Sequence, residues 1–323
     1  MTTIKEVAKY ANVSVATVSR AINGTGYVKK ETRDKIDAAI KKLNYQPNEV
    51  ARSLNMQTSK MLGLLLPDMS NPFFTVVARG VEDKAMARGY HIMIGNGAMD
   101  ETKELNYLSM FKVNQCSGII ASQLSTSKAF QTLKSFKTPY VLIDRVSEGD
   151  ACIEADHTKG GALQAEAILN GRAAHVLLLH QDLSFTSFRA RFTAAQDVLQ
   201  QKNVHVVTED EAELDVEKFE SYINDSHIDS VICSNDVMAL KVMKWVHNLG
   251  KVVPDDVQVI GYDDIPFAEM FLPNLTTVRQ PAYELGQQAA EQLINTLEGY
   301  ASQTPAKLNV ALIHRQSTRR SKK

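Results

Sequence analysis

Apolar positions recur on two different periods along this chain, and the change of period divides it. Over the first sixty residues they fall three and four apart. Thr3 and Glu6 stand at capping-box spacing, where each side chain can satisfy an orphan backbone N–H, and Val7, Ala8 and Ala11 follow on one helical face. This predicts a short helix ending near Ala11, a tight turn at Asn12, and a second helix capped by Ser14. Its inward face is Val15 or Val18 together with Ala21 and Ile22. Asn23-Gly24 closes that helix, and Ile36, Ala39, Ile40 and Leu43 place a third over about 31–43. Three helices this short must share one small core.

From residue 61 the pattern changes to short β-rich apolar runs separated by helical stretches: 62–66, 91–94, 118–121, 140–143, 176–179, 204–207, 230–233 and 257–260. Strand alternating with helix predicts an α/β fold with parallel sheets covered on both faces, and this many strands suit two similar lobes better than one sheet. In such sheets ligands sit beyond the carboxyl ends of the strands. There the chain places Asp68 and Asn71-Pro72-Phe73-Phe74 after the first run, Asp144-Arg145 after the fourth, Asn235-Asp236 after the seventh and Asp263-Asp264 after the eighth. Taken singly, each could be a helix cap, a turn or a core residue. Together, carboxylates, amides, an arginine and aromatic faces are what a sugar requires, since its hydroxyls both donate and accept while its C–H face lies on a ring.

Charge sharpens the division. The net charge is -1, but residues 1–60 hold eleven Lys and Arg against five Asp and Glu, so a basic first fifth precedes an acidic remainder. That asymmetry suits one end approaching a polyanion. The three cysteines, Cys116, Cys152 and Cys233, are odd in number and form no Cys-x-x-Cys, which supports neither a disulfide framework nor a zinc site. The apolar runs are strand-sized and no signal-peptide pattern stands at the N-terminus, so a cytoplasmic protein without membrane contact or cofactor is expected. No phosphate-cradling loop, metal-spaced cluster or nucleophile elbow appears, which argues against an enzyme.

In a helix-turn-helix the second helix enters the major groove and needs small, polar or cationic exposed positions. Val15, Ala16, Thr17, Ser19 and Arg20 supply them. Arg20 can donate two bonds to guanine, Val15 and Ala16 can touch a thymine methyl, and Ser14, Thr17 and Ser19 can reach phosphates. The segments Thr3-Ile4-Lys5-Glu6-Val7-Ala8 and Ala11-Asn12-Val13-Ser14-Val15-Ala16-Thr17-Val18-Ser19-Arg20-Ala21-Ile22-Asn23 closely resemble the DNA-binding headpiece of the lactose/galactose repressor family. The likeness adds Thr3 and Asn23 to the DNA-facing set. It continues through Asn44-Tyr45-Gln46-Pro47-Asn48 and Ala51-Arg52-Ser53-Leu54, which implies a hinge helix in the minor groove, with Ala51 at the DNA and Leu54 as an apolar wedge that kinks the duplex.

The remainder, from Met61 to Gln316, resembles the periplasmic ribose-binding-protein fold that this family shares. The resemblance implies a headpiece over 1–46, a hinge and linker over 47–60, and a two-lobed effector-binding and dimerisation domain over 61–323. The first lobe would take about 61–157 and 281–307, the second about 158–280 and 308–318. By the same likeness Asn71, Phe73, Phe74, Asp144, Arg145, Asn235, Asp263 and Gln280 match sugar-contacting positions, with Gln280-Pro281 in the third crossover between lobes. Arg189 and Arg191 both lie where an effector-binding arginine is expected. The pattern departs from the family at Asp156-His157 ahead of Gly160-Gly161, at His180-Gln181 and at Thr193-Ala194-Ala195. The implied protein is a repressor of a sugar-utilisation operon, closest in pocket pattern to ribose or sucrose operon repressors. Its partners would be operator double-stranded DNA, a small sugar such as ribose, and a second copy of itself, since the tail lacks the leucine heptads that join dimers into tetramers. The alternatives are the same fold with a purine co-repressor or a phosphocarrier protein, and a stand-alone sugar-binding protein.

Overall fold

The computed structural model describes residues 2–24, 26–45, 59–122, 124–144, 150–202, 204–300 and 307–320. The chain forms two compact units, residues 1–59 and 60–323.

The first unit holds helices α1 (Ile4–Ala11), α2 (Val15–Asn23) and α3 (Lys30–Lys42). The capping box forms at α1, with the Thr3 N–H donating to Glu6 Oε2 at 2.7 Å and the Glu6 N–H donating to Thr3 Oγ1 at 3.4 Å. Asn12 takes the left-handed turn at φ 54, and Ser14 Oγ caps α2 by accepting the Thr17 N–H at 3.1 Å. Val7, Ala8 and Ala11 meet Val18, Ala21, Ile36 and Ala39 in one core. Of the two inward candidates on α2, Val18 is buried and Val15 is exposed. By spacing Val15 shares the face of Val18 and Ile22, but as the first residue of α2 it stands at the helix end and is not part of the core that Val18 and Ala21 enter.

The second unit carries two sheets. The first is all parallel in the order β2-β1-β3-β4-β5, from β1 (Met61–Leu66), β2 (His91–Asn96), β3 (Gly118–Ser122), β4 (Tyr140–Ile143) and β5 (Cys152–Ile153). The second has β6 (His175–His180), β7 (His205–Asp210), β8 (Ser230–Ile232), β9 (Gln258–Asp263), β10 (Thr276–Arg279) and β11 (Ala311–Ile313) in the order β11-β10-β9-β8-β6-β7. Its strands are parallel except at β10–β11. The helices are α4 (Pro72–Ala87), α5 (Glu101–Val113), α6 (Ser127–Ser135), α7 (His157–Asn170), α8 (Thr186–Gln200), α9 (Val216–Asn224), α10 (Asp236–Asn248) and α11 (Ala282–Leu297). Among the described residues no helix is long and apolar enough to cross a membrane.

Each apolar run of the sequence is a strand. β1, with Leu62, Leu64 and Leu66, packs against Val77 and Val81 of α4 and Leu285, Ala289 and Leu293 of α11. Thus α11, which follows a strand of the second sheet, covers the first. The chain therefore crosses between lobes three times: after β5, at Gln280-Pro281 and again around Leu308. Gln280-Pro281 is the second crossing in chain order, not the third, because α11 leads back through Leu308, which pairs with Ala155 of the first crossing, to β11. Ala155, Tyr262, Val278 and Val310 form a small core where the crossings meet.

Candidate functional site

A cleft of about 510 Å³ lies beyond the carboxyl ends of the strands of both sheets. Asn71 caps α4, its Oδ1 accepting the Phe73 N–H at 3.0 Å. That cap fixes the first turn of the helix, and with it Phe73 and Phe74, whose rings meet edge to face at 5.0 Å and line the cleft. Asp144 follows β4 directly in the left-handed region, φ 53, and turns its carboxylate inward. From the second sheet come Asn235, which caps α10 by accepting the Met238 N–H at 2.8 Å, and Asp263, the last residue of β9. Asn235 is both a helix cap and a wall of the cleft. Gln280, on the second crossing, donates from Nε2 to Asp263 Oδ1 at 2.7 Å, while its buried Oε1 has no partner among the described residues. A ligand hydroxyl would satisfy that acceptor.

Arg191 reaches the cleft and Arg189 does not. Two residues on a helix stand about 200° apart, so only one of this pair can face inward. Arg189 is exposed and donates to the Leu183 carbonyl at 3.1 Å. Arg191 is buried, donates to the Ser234 carbonyl at 3.2 Å, and lays its guanidinium 3.9 Å from the Tyr262 ring centroid. Arg145 lies outside the described residues.

The electrostatics separate the two carboxylates. Burial pushes the Asp263 carboxyl up to about 6, against the pull of Arg191, Gln280 and Asn71. Burial opposes ionisation of Asp144 as well, but the hydrogen bonds from His157 and the Ala155 N–H, with the charge of Arg191, hold the carboxyl below its ordinary value. Asp144 is thus the fixed anion and Asp263 the adjustable one.

Some residues that line the cleft or stand behind its wall carry no strong mark in the sequence. Phe188 lines the cleft one turn before Arg191 on the same face of α8. Glu211 accepts hydrogen bonds from Gln181 and Ser234, and burial raises its carboxyl above the usual range. It escapes a search beyond strand ends because β7 runs on to Asp210, past the apolar residues that mark it. His157 stands where the sequence departs from the family pattern. Its Nε2 lies 2.9 Å from Asp144 Oδ1, and its Nδ1 accepts from Arg191 Nε at 3.1 Å. Gly160 and Gly161 permit this arrangement, since a Cβ at the first would press on the Tyr262 hydroxyl and at the second on the Arg191 backbone.

In the first unit, Thr3, Ser14, Val15, Ala16 and Arg20 are exposed, and Thr17 and Ser19 half-buried. Ser14 Oγ and Thr17 Oγ1 share a hydrogen bond of 2.8 Å. Exposed Val15, Ala16 and Arg20 follow the capped N-terminus of α2, the arrangement of a groove-reading helix. Asn23 ends α2, its side chain outside what the structure describes, and the proposed hinge residues Ala51 and Leu54 also lie outside the described residues.

The comparisons with known proteins agree with both units. A family model described as bacterial regulatory proteins, lacI family, matches residues 3–48, and one described as a periplasmic binding protein-like domain matches residues 170–318. The Ribose operon repressor of Bacillus subtilis (strain 168) is 40% identical over 326 residues, covering 99% of each chain. The chain belongs to the lacI family of bacterial regulatory proteins. Among solved structures, the lac repressor dimer bound to operator and the anti-inducer ONPF superposes with a TM-score of 0.86 at 25% identity, covering 98% of this chain and 99% of that one. The periplasmic binding ribose operon repressor protein from Lactobacillus acidophilus gives 0.70 at 27% identity, covering 81% of this chain and 99% of that one. As a lacI-family member this chain is a DNA-binding transcription regulator, with a helix-turn-helix headpiece ahead of a sugar-binding type of fold.

Proposed function

We propose that this regulator represses a sugar-utilisation operon as a homodimer and is released from operator DNA when a small unphosphorylated sugar, ribose foremost, enters the cleft. The observation that carries the reading is the convergence of Asp144, Asp263, Gln280 and Arg191 on one cleft faced by Phe73 and Phe74. Ionised or hydrogen-bonding groups anchor the hydroxyls and the rings take the C–H face. Val15, Ala16 and Arg20 would read base edges, Thr3, Ser14, Thr17, Ser19 and Asn23 would hold phosphates, and Ala51 and Leu54 would engage the minor groove.

The charge of the cleft narrows the ligand. Beyond the two inner carboxylates, Asp68, Asp182, Asp210 and Glu211 also line it, against Arg191 and Lys241 among the described residues. An excess of carboxylates repels a phosphate, so a free sugar fits better than a sugar phosphate. A sugar bridging residues of both lobes favours one angle between them, and it shifts DNA affinity only as far as it binds the two states differently.

Thermal melting of the purified protein with D-ribose, D-fructose, sucrose, ribose 5-phosphate and hypoxanthine tests this. A ligand selective for the folded state raises the melting temperature by mass action. The proposal expects a rise with a free sugar and little with ribose 5-phosphate. A rise with hypoxanthine alone would transfer the site to the purine co-repressor reading.

A further inference from the structure

The first crossing between the lobes ends in a residue that touches charged groups on both sides of the cleft. His157 is the first residue of α7, and its ring is 4% exposed. From the first lobe it meets Asp144, whose Oδ1 also accepts the Ala155 N–H at 3.1 Å. From the second lobe it meets Arg191, with Tyr262 Oη 3.3 Å from the same Nδ1. Asp144 and Arg191 both line the cleft.

The chemistry of the two partners fixes the state of the ring. An arginine Nε–H can only donate, so His157 Nδ1 must present its lone pair. In a neutral imidazole the proton then sits on Nε2, where it donates to the Asp144 carboxylate. One ring thus accepts from the arginine and donates to the aspartate. Asp144 Oδ1 is taken by Ala155 and His157, and the other oxygen, Oδ2, without a hydrogen-bond partner among the described residues, is left for a ligand. With its Nε held by His157 and one Nη by Ser234, Arg191 has its orientation set before any ligand arrives.

We propose that His157 is a positioning residue for the cleft: as the neutral Nε2–H tautomer it ties Asp144 of the first lobe to Arg191 of the second, and so aligns two ligand-facing groups without touching ligand itself. This rests on the reading of the cleft as a sugar site. It makes the first crossing a recognition element as well as a connection, because a change of lobe angle that moved Asp144 relative to Arg191 would strain the His157 bridge.

Two measurements on the full chain test it, one independent of any ligand. Nitrogen-15 NMR of histidine-labelled protein at pH 7.5, with the His157 signals assigned by their absence in His157→Gln, should show a protonated Nε2 and an unprotonated Nδ1. The opposite tautomer or an imidazolium would overturn the proposal. Calorimetric titration with D-ribose should then separate three variants. His157→Gln can still donate to Asp144, His157→Asn can still accept from Arg191, and His157→Leu can do neither. The leucine variant should bind at least about tenfold more weakly than wild type, in line with losing a hydrogen bond to a charged group. The two amide variants should fall between. Leucine binding equal to wild type would overturn the proposal, as would equal losses in all three variants when their melting temperatures match wild type. If wild type bound no sugar at all, the sugar reading would fall while the NMR result still decided the His157 bridge.

Discussion

Asp263 shows how much a single buried group contributes and costs. Its carboxyl has an ordinary value of 3.8 and is raised to about 6 in the folded chain, chiefly by burial. For a raised carboxyl, the folded state is favoured by the protonated form below about pH 4, and that advantage is lost as pH rises through 6. Holding the ionised group at neutral pH then costs on the order of 3 kcal/mol. Asp263→Asn should therefore stabilise the protein at pH 7.5 and do so by only about a third as much at pH 4.5, where the folded carboxyl is protonated. Urea melts of both proteins at the two pH values check this, and a pH-independent difference would contradict it. The pocket residues were legible to differing degrees. Asp144, Asn235 and Asp263 could be read from the sequence because they follow apolar runs. His157 showed only as a departure from a pattern, since nothing in a single buried histidine tells what it bonds. The choice between Arg189 and Arg191 needed the phase of α8 against its sheet, which neighbouring residues on a weakly amphipathic helix do not set.

At the scale of elements, α2 has the strongest sequence signature and the most specific consequences. Ser14→Ala removes the hydroxyl that accepts the Thr17 N–H and should cost the headpiece about 1 kcal/mol, read as a lower melting temperature of the isolated headpiece signal in circular dichroism. Arg20 is exposed on the same helix, so Arg20→Ala should leave stability unchanged. It should weaken operator binding by about 1–3 kcal/mol with relaxed preference at one guanine. Equal losses on operator and random DNA would remove Arg20 from base readout. The helices of the headpiece and the longer strands were legible because their apolar periods are long enough to show. β5, β10 and β11 were not. They span two to four residues, and β10 buries Thr276 and Thr277, bonded to Ser317 and Asp236, where an apolar pair would mark a strand.

For the whole molecule, the two lobes follow from the alternation of strand and helix, but the return of α11 to the first sheet does not, because no local signal says which sheet a helix will cover. The pairing of β10 with β9 sets Gln280 beside Asp263, and the cleft is a joint product of both lobes because Asn71, Phe73 and Asp144 face Asn235 and Asp263 across it. The central claim is that ligand in this cleft and operator on the headpiece are coupled, and such coupling is reciprocal in free energy, with a typical size of about 1–3 kcal/mol. Fluorescence anisotropy of a labelled operator, titrated with D-ribose in the presence of wild type or Asp263→Ala, measures it directly. The account predicts that sugar releases the operator from wild type, while Asp263→Ala binds the operator equally well and holds it when sugar is added. If ribose bound wild type without changing its operator affinity, or if Asp263→Ala released the operator at the same sugar concentration as wild type, the account would be contradicted.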